Sequence, residues 1–308
     1  MNTLAFGVFI TPQSASLKTL RDEVHTAEDG DLDFVAIQDH PYVPEFLDTM
    51  SVIGTLLSET SRVHMLSDVA NLPLRPPAML AKAAATLSLL SGGRFELGLG
   101  GGRNWPGIVA LGGRELTPKE TVEAFEEAVA IIRGMWRKGQ ALTFAGKHYQ
   151  LANVPSGPSL EHQLPLWFGA RGPRMCALTG RYADGWIAPI STPYEAKPLA
   201  QQQIDEAARA AGRDPSEVRR MMQLVGSVTD SPQTTQRPRR GPGTQPIRAT
   251  PQVWIQIIAE LVREERFDTF NFVLERESSE QIRRFATEVV PAVRELEACG
   301  QFAVRTDQ

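Results

Sequence analysis

Four short stretches of this chain place chemically capable residues where apolar runs end. Asp39-His40 follows the run at residues 34–38. Histidine exchanges protons near neutral pH, and an adjacent carboxylate orients or charges it. A bare turn, with Asp39 holding backbone, is the competing reading. Ser67-Asp68-Val69-Ala70-Asn71 closes the run that begins at Val63, and a carboxylate there needs a partner or an opening to water. Gly98, Gly100, Gly101 and Gly102 crowd the end of the run from Phe95 and lead into Arg103. Such glycines let backbone approach a ligand and aim N–H groups at anions, or they simply make a flexible strand exit. Gly169-Ala170-Arg171-Gly172-Pro173-Arg174 ends a strand and opens a helix. Free N–H groups, the helix dipole and two arginines make an anion site whose obvious occupant is phosphate; a plain turn with Pro at the first helical position is the alternative.

The elements between these stretches alternate. Strands are read at residues 4–10, 34–38, 63–70, 94–100, 165–169, 185–188, 224–228 and 269–274, each leading into a helical pattern. In the helix from Pro77, Met79, Leu80, Ala83, Ala84, Leu87 and Leu90 are read as one buried face. Thr117-Pro118-Lys119-Glu120 predicts a capped helix start, and Ser278 with Gln281 predicts another. Pro291 is expected to kink or interrupt the last helix. Residues 142–151, with Gly146 central, read as a small hairpin or extended excursion, and residues 230–250, rich in Pro, Gly, Gln and Arg, as a mobile lid or a disordered excursion after strand seven. Eight strands alternating with helices predict an α/β chain, a (β/α)8 TIM barrel forming one domain over residues 1–308. Ligands of such a fold bind where strands end, which favours the chemical readings of the four stretches.

Composition excludes several classes. Apolar residues make up 42% and charged residues 22% of 308 positions, ordinary for a globular protein with a core. A net charge of −4 argues against a nucleic-acid partner held by bulk charge. Two cysteines, Cys176 and Cys299, lie far apart, which suits a reducing cytoplasm and offers neither a disulfide framework nor a thiol metal site. Cys176 in a helix reads as core. The remaining histidines show no ligand spacing, so no metal is expected. The first residues lack a basic region followed by an apolar run, and no segment reaches membrane-spanning length, so a cytoplasmic location is expected.

In order along the chain, Asp39-His40, Leu74-Arg75-Pro76-Pro77-Ala78, Ser91-Gly92-Gly93-Arg94-Phe95, Gly98-Leu99-Gly100, Gly169-Ala170-Arg171-Gly172-Pro173 and Ala183-Asp184-Gly185-Trp186 resemble the bacterial luciferase-like monooxygenase family, particularly its coenzyme F420-dependent branch. The resemblance runs from Phe6 to about Val293. It implies a TIM barrel holding F420 or FMN at the carboxyl ends of its strands. It also implies that Gly169 to Arg174 (with Ala170, Arg171, Gly172 and Pro173) and the loop Gly100, Gly101, Gly102 and Arg103 hold the phosphate. Asp39 and Asp68 would lie beside the ring system, and a non-prolyl cis peptide at Asp68-Val69 would bulge against it. His40 matches the residue acting near the reactive ring carbon in F420-dependent dehydrogenases, with Asp39 beside it. A homodimer is implied as well.

The chain also departs from that pattern. Pro41-Tyr42-Val43-Pro44 lacks the Trp that sugar-phosphate dehydrogenase members carry, and Arg103 stands where they have Glu. Tyr42, Asn71 and Trp105 are therefore expected to shape a pocket for a different small organic substrate. The preferred expectation is hydride transfer between F420 and that substrate, with His40 exchanging the proton. An FMN-dependent monooxygenase using oxygen and a partner reductase is the nearest rival. A flavin-binding protein without turnover and a non-redox sugar-phosphate isomerase are rivals from other classes.

Overall fold

The computed structural model describes residues 2–302; residue 1 and residues 303–308 of the expected domain lie outside them. In chain order the strands are β1 (Ala5–Ile10), β2 (Phe34–Ile37), β3 (His64–Ser67), β4 (Ala70–Asn71), β5 (Phe95–Gly100), β6 (Ala141–Ala145), β7 (Gln150–Pro155), β8 (Leu166–Gly169), β9 (Gly185–Ala188), β10 (Arg219–Val228), β11 (Ile247–Ala249) and β12 (Thr269–Leu274). The α-helices are α1 (Leu17–Asp29), α2 (Thr49–Glu59), α3 (Pro77–Leu90), α4 (Trp105–Ala110), α5 (Pro118–Met135), α6 (Pro173–Tyr182), α7 (Lys197–Ala210), α8 (Pro251–Glu265), α9 (Ser279–Arg284) and α10 (Val290–Ala298). Apart from the short β4 and β11 and the β6–β7 hairpin, eight sheet strands remain, each leading into a helix. That is the alternation expected of a (β/α)8 barrel. No described helix is long and apolar enough to cross a membrane.

Contacts gather the described residues into two compact units, one of residues 2–10, 16–36 and 170–302, the other of residues 11–15 and 37–169. In the first, β9, β10, β12 and β1 pair in parallel. Its core forms around Trp254 of α8, which meets Phe272 edge-on at 5.6 Å, while Phe272 stacks on Phe285 at 4.5 Å. Each such aromatic pair adds about 0.5–1.5 kcal/mol beyond the area it buries. The last helical stretch passes through a π turn at Phe285–Val289 before α10, where Pro291 cannot donate to the preceding turn. Residues 229–246, between β10 and β11, carry no helix or strand. Arg237 pins them to the end of α8: it is buried, donates to Glu264 at 2.8 Å and also bonds Glu265.

In the second unit, β3, β5 and β8 pair in parallel, with β4 also on β5. The Thr117 hydroxyl caps α5 and the Glu120 carboxylate returns the bond to the Thr117 N–H at 3.0 Å, as the sequence predicts. Phe125 of α5 meets Phe168 of β8 edge-on at 4.8 Å. The excursion after α5 is the expected antiparallel hairpin, β6 with β7.

Helix α3 corrects one expectation. Pro77, Leu80, Ala81, Ala84, Ala85 and Ser88 are its buried positions, whereas Met79 is 64% and Leu90 83% exposed. Nearly every position of α3 is apolar, so periodicity alone does not select a face.

Candidate functional site

The strand run at residues 63–70 divides at Ser67, and the division builds the centre of the second unit. The Asp68–Val69 peptide bond is cis, and pairing resumes only at Ala70. The Val69 side chain lies among glycines. A Cβ on Gly100 would come within 2.5 Å of Val69 Cγ2, and one on Gly169 within 3.1 Å of Val69 Cγ1. A Cβ on Gly98 would fall 1.9 Å from the Ser67 carbonyl oxygen. The ends of β5 and β8 therefore lack side chains so that the β3–β4 bulge can enter. Gly101 faces Thr121 and Phe125, and Gly102, with φ +90°, lies against Pro73 and Ile108. The glycine cluster that the sequence offers for ligand approach is thus tightly packed on its inner side.

Asp39 holds the other side of that bulge. It is 1% exposed, accepts the Asn71 N–H at 2.8 Å, and takes a two-pronged contact from Arg75, Nε at 2.7 Å and Nη2 at 2.8 Å. Arg75 Nη2 also donates to Asp48 at 2.6 Å, and Asp48 caps α2 through the Ser51 N–H. Burial works against the Asp48 charge, yet hydrogen bonds from Arg75 and Ser51 keep its pKa below the ordinary value. Asp39 and Asp48 likewise outweigh the burial of Arg75 and strengthen its hold on its proton. Asp68 is 8% exposed, and its N–H bonds the Ile37 carbonyl at 2.8 Å. The Asn71 side-chain oxygen is buried and has no hydrogen-bond partner.

His40 projects from this frame with an exposed residue surface. Its ring stacks on Tyr42 at 5.3 Å, and its Nδ1 lies 2.6 Å from Gln38 Nε2. The protein packed around the imidazole lowers its pKa from the ordinary value of 6.5; Asp39 opposes that shift and Arg103 reinforces it. Burial, with Asp39, raises the Tyr42 pKa above the ordinary phenol value, so its hydroxyl keeps its proton at neutral pH. Gly107 of α4 is the contact that admits Tyr42, since a Cβ there would lie 2.8 Å from the tyrosine ring. Trp105 is half-buried at the first position of α4, and Arg103 is exposed. The second unit thus brings together Asp39, His40, Tyr42, Asn71, the Asp68–Val69 bulge and the ends of β5 and β8.

Ala170 to Arg174 belong to the first unit. Ala170 is buried and its carbonyl accepts the Trp186 indole N–H at 3.0 Å, whereas Arg171, Gly172, Pro173 and Arg174 are exposed at the start of α6. Gly172 has φ +82°, which favours glycine, and Pro173 occupies the first helical turn. By itself this helix end favours an anion. Cys176 is buried in α6, and burial pushes its thiol up to about 11, so it serves the core.

Gln38, Asp48 and the Arg75–Asp39 geometry lie outside the site that the sequence motifs mark. For Gln38 the signal is parity: residues two apart in an extended segment point the same way, so Gln38 and His40 share a side. Asp48 gives only a helix-cap signal, and its second partner lies 27 residues on.

Residues 4–288 match the model of a family described as luciferase-like monooxygenase. A phthiodiolone/phenolphthiodiolone dimycocerosates ketoreductase of Mycobacterium tuberculosis is 37% identical over 161 residues, 51% of this chain and 41% of that protein. An F420-dependent hydroxymycolic acid dehydrogenase of M. tuberculosis is 34% identical over 50% of this chain and 42% of its own length. The chain thus spans less than half the length of these curated relatives. Among solved structures, an F420-dependent secondary alcohol dehydrogenase with an F420-acetone adduct superposes with TM-score 0.80 at 20% identity, covering 95% of this chain and 99% of that one. An EDTA monooxygenase from Chelativorans gives 0.79 at 16% identity over 96% of this chain and 94% of its own. These likenesses show the shared fold, the (β/α)8 barrel.

Proposed function

From the membership of this chain in the luciferase-like monooxygenase family, we propose that it is an oxidoreductase that exchanges a hydride between coenzyme F420 and a small organic substrate, with His40 exchanging the accompanying proton. The observation that carries this reading is the position of His40: an open imidazole, kept weakly basic, on a turn locked by Asp39 to Arg75 and to the β3–β4 bulge. An F420-dependent relative at 34% identity favours F420 over FMN, because the solved neighbour that holds a modified FMN is 15% identical and similar only in fold.

The residues fit a planar heterocycle with a phosphate. The Asp68–Val69 bulge, backed by Gly98, Gly100 and Gly169, offers an apolar rest for one ring face. Asn71 offers a buried acceptor oxygen with no protein partner, suited to a ring N–H. Gly100, Gly101, Gly102 and Arg103 would face the anionic portion, and the start of α6 is assigned on its own to phosphate. When bound, F420 supplies the hydride acceptor or donor, chemistry that no side chain provides. His40 would give or take a proton at the substrate oxygen. Tyr42 holds the imidazole plane, and Asn71 and Trp105 shape the space for substrate. A homodimer is proposed from the family, and the unburied apolar residues Met79 and Leu90 of α3 are suited to a partner face.

Titration of the purified chain with F420 and FMN, each oxidised and reduced and followed by absorbance and fluorescence, tests this reading. Tight F420 binding with weak FMN binding supports it. Preference for reduced FMN moves the protein to oxygen-dependent monooxygenation, and binding of neither sinks it.

A further inference from the structure

The two nitrogens of His40 are not equivalent. Nδ1 faces Gln38 Nε2 at 2.6 Å, which leaves Nε2 as the nitrogen to meet a substrate. The other end of the Gln38 side-chain amide is also held, since Thr11 Oγ1 donates to its Oε1 at 3.4 Å; separately, Thr49 Oγ1 donates to the main-chain carbonyl of Gln38. An amide whose oxygen already accepts from a hydroxyl presents its NH2 to the ring, and an NH2 only donates. A neutral imidazole that accepts at Nδ1 carries its proton at Nε2.

We infer that Gln38 is a positioning residue that fixes the tautomer of His40, holding the exchangeable proton on Nε2 and keeping the ring neutral. The inference rests on the proposed proton-exchange role of His40 for its functional meaning, but the tautomer itself is a property of the chain alone. A carboxylate at position 38 would act oppositely, because it accepts from Nδ1–H and favours the imidazolium. The other charged or titratable groups around the ring are Asp39 and Tyr42 on its own turn and Arg103 from the loop after β5. Asp39 is occupied by Arg75 and the Asn71 N–H, so Gln38 is the group in hydrogen-bonding contact with the ring. Gln38 would thereby decide in which protonation state His40 meets a substrate oxygen, without touching that oxygen itself.

The test is side-chain 15N NMR of the full chain without added cofactor, across pH, with the His40 signals identified by their loss in His40→Asn. Wild type is expected to show neutral His40 protonated on Nε2. Gln38→Glu, nearly equal in size, is expected to move the neutral proton to Nδ1 and raise the His40 pKa by about one unit or more. Gln38→Leu should populate both tautomers. A wild-type proton on Nδ1, or variants with unchanged tautomer and pKa, would overturn the inference. With F420 and substrate present, Gln38→Glu should also shift the pH profile of kcat/KM by the amount that NMR reads. If the tautomer responds but turnover ignores His40 replacement, the Gln38 assignment stands and the hydride-transfer reading fails. If turnover needs His40 while the Gln38 variants leave its tautomer untouched, the assignment fails alone.

Discussion

His64 and His40 are held by opposite kinds of partner. His64 opens β3, and its Nδ1 lies 3.0 Å from the Glu96 carboxylate, whose second oxygen accepts the Trp167 indole N–H at 2.6 Å. His40 follows β2, and its Nδ1 faces the NH2 of a neutral amide. A carboxylate draws the imidazole proton inward and spends it on packing; an amide donor leaves the proton outward and available. The difference matches the general division of barrel ends, in which strand starts serve stability and strand exits carry chemistry. A histidine's partner therefore says more about its task than its exposure does.

Four outcomes would break or sharpen that contrast. The largest effect belongs to the frame behind His40. Arg75→Met leaves Asp39 buried without its partner, which is expected to cost about 3–5 kcal/mol in urea unfolding. A loss under about 1 kcal/mol would show the frame to be dispensable. Next is the bulge: Gly100→Ala is expected to destabilise by about 1–3 kcal/mol through its clash with Val69. Adding Val69→Ala should recover part of that loss, a coupling that a double-mutant cycle in the same unfolding assay detects. At the strand start, Glu96→Gln is expected to cost about 1 kcal/mol of stability and to leave kcat unchanged; a large loss of turnover there would erase the contrast.

The smallest effect is a pH dependence. The folded imidazole of His40 binds its proton more weakly than an ordinary one, so it stays neutral until pH falls below 6.5. Turnover in the direction that needs His40 to accept a proton should therefore hold level through neutral pH and decline only below that value, as read from kcat/KM against pH. For stability the sign is the same. A lowered folded pKa means the unfolded chain takes up the proton first on acidification, so this group weakens folding as pH falls through 6.5.

Much of this was legible along the chain because the signals are local. The strand–helix alternation, the Thr117 capping box, the hairpin and the break ahead of Pro291 each depend on a few adjacent residues. The cis bond at Asp68–Val69 followed from the family resemblance rather than from residue chemistry. What was not legible depends on distant partners. Nothing near Arg75 in the sequence names its partner Asp39, 36 residues away. Gly98 and Gly100 were read as open backbone, because the Val69 side chain that fills their space arrives from another strand. The buried face of α3 is not legible in the sequence because its apolar residues surround the helix. Gln38 does not stand out, because a polar residue ending a strand is ordinary until its neighbour's ring is placed.

The most direct test of the central claim is His40→Ala, measured for F420 binding and for turnover side by side. The account predicts F420 affinity within about threefold of wild type and a kcat lower by about 10²–10⁴-fold, the usual worth of a positioned acid–base group. Turnover within a few-fold of wild type, with binding intact, would contradict it and move proton exchange to another residue or to water.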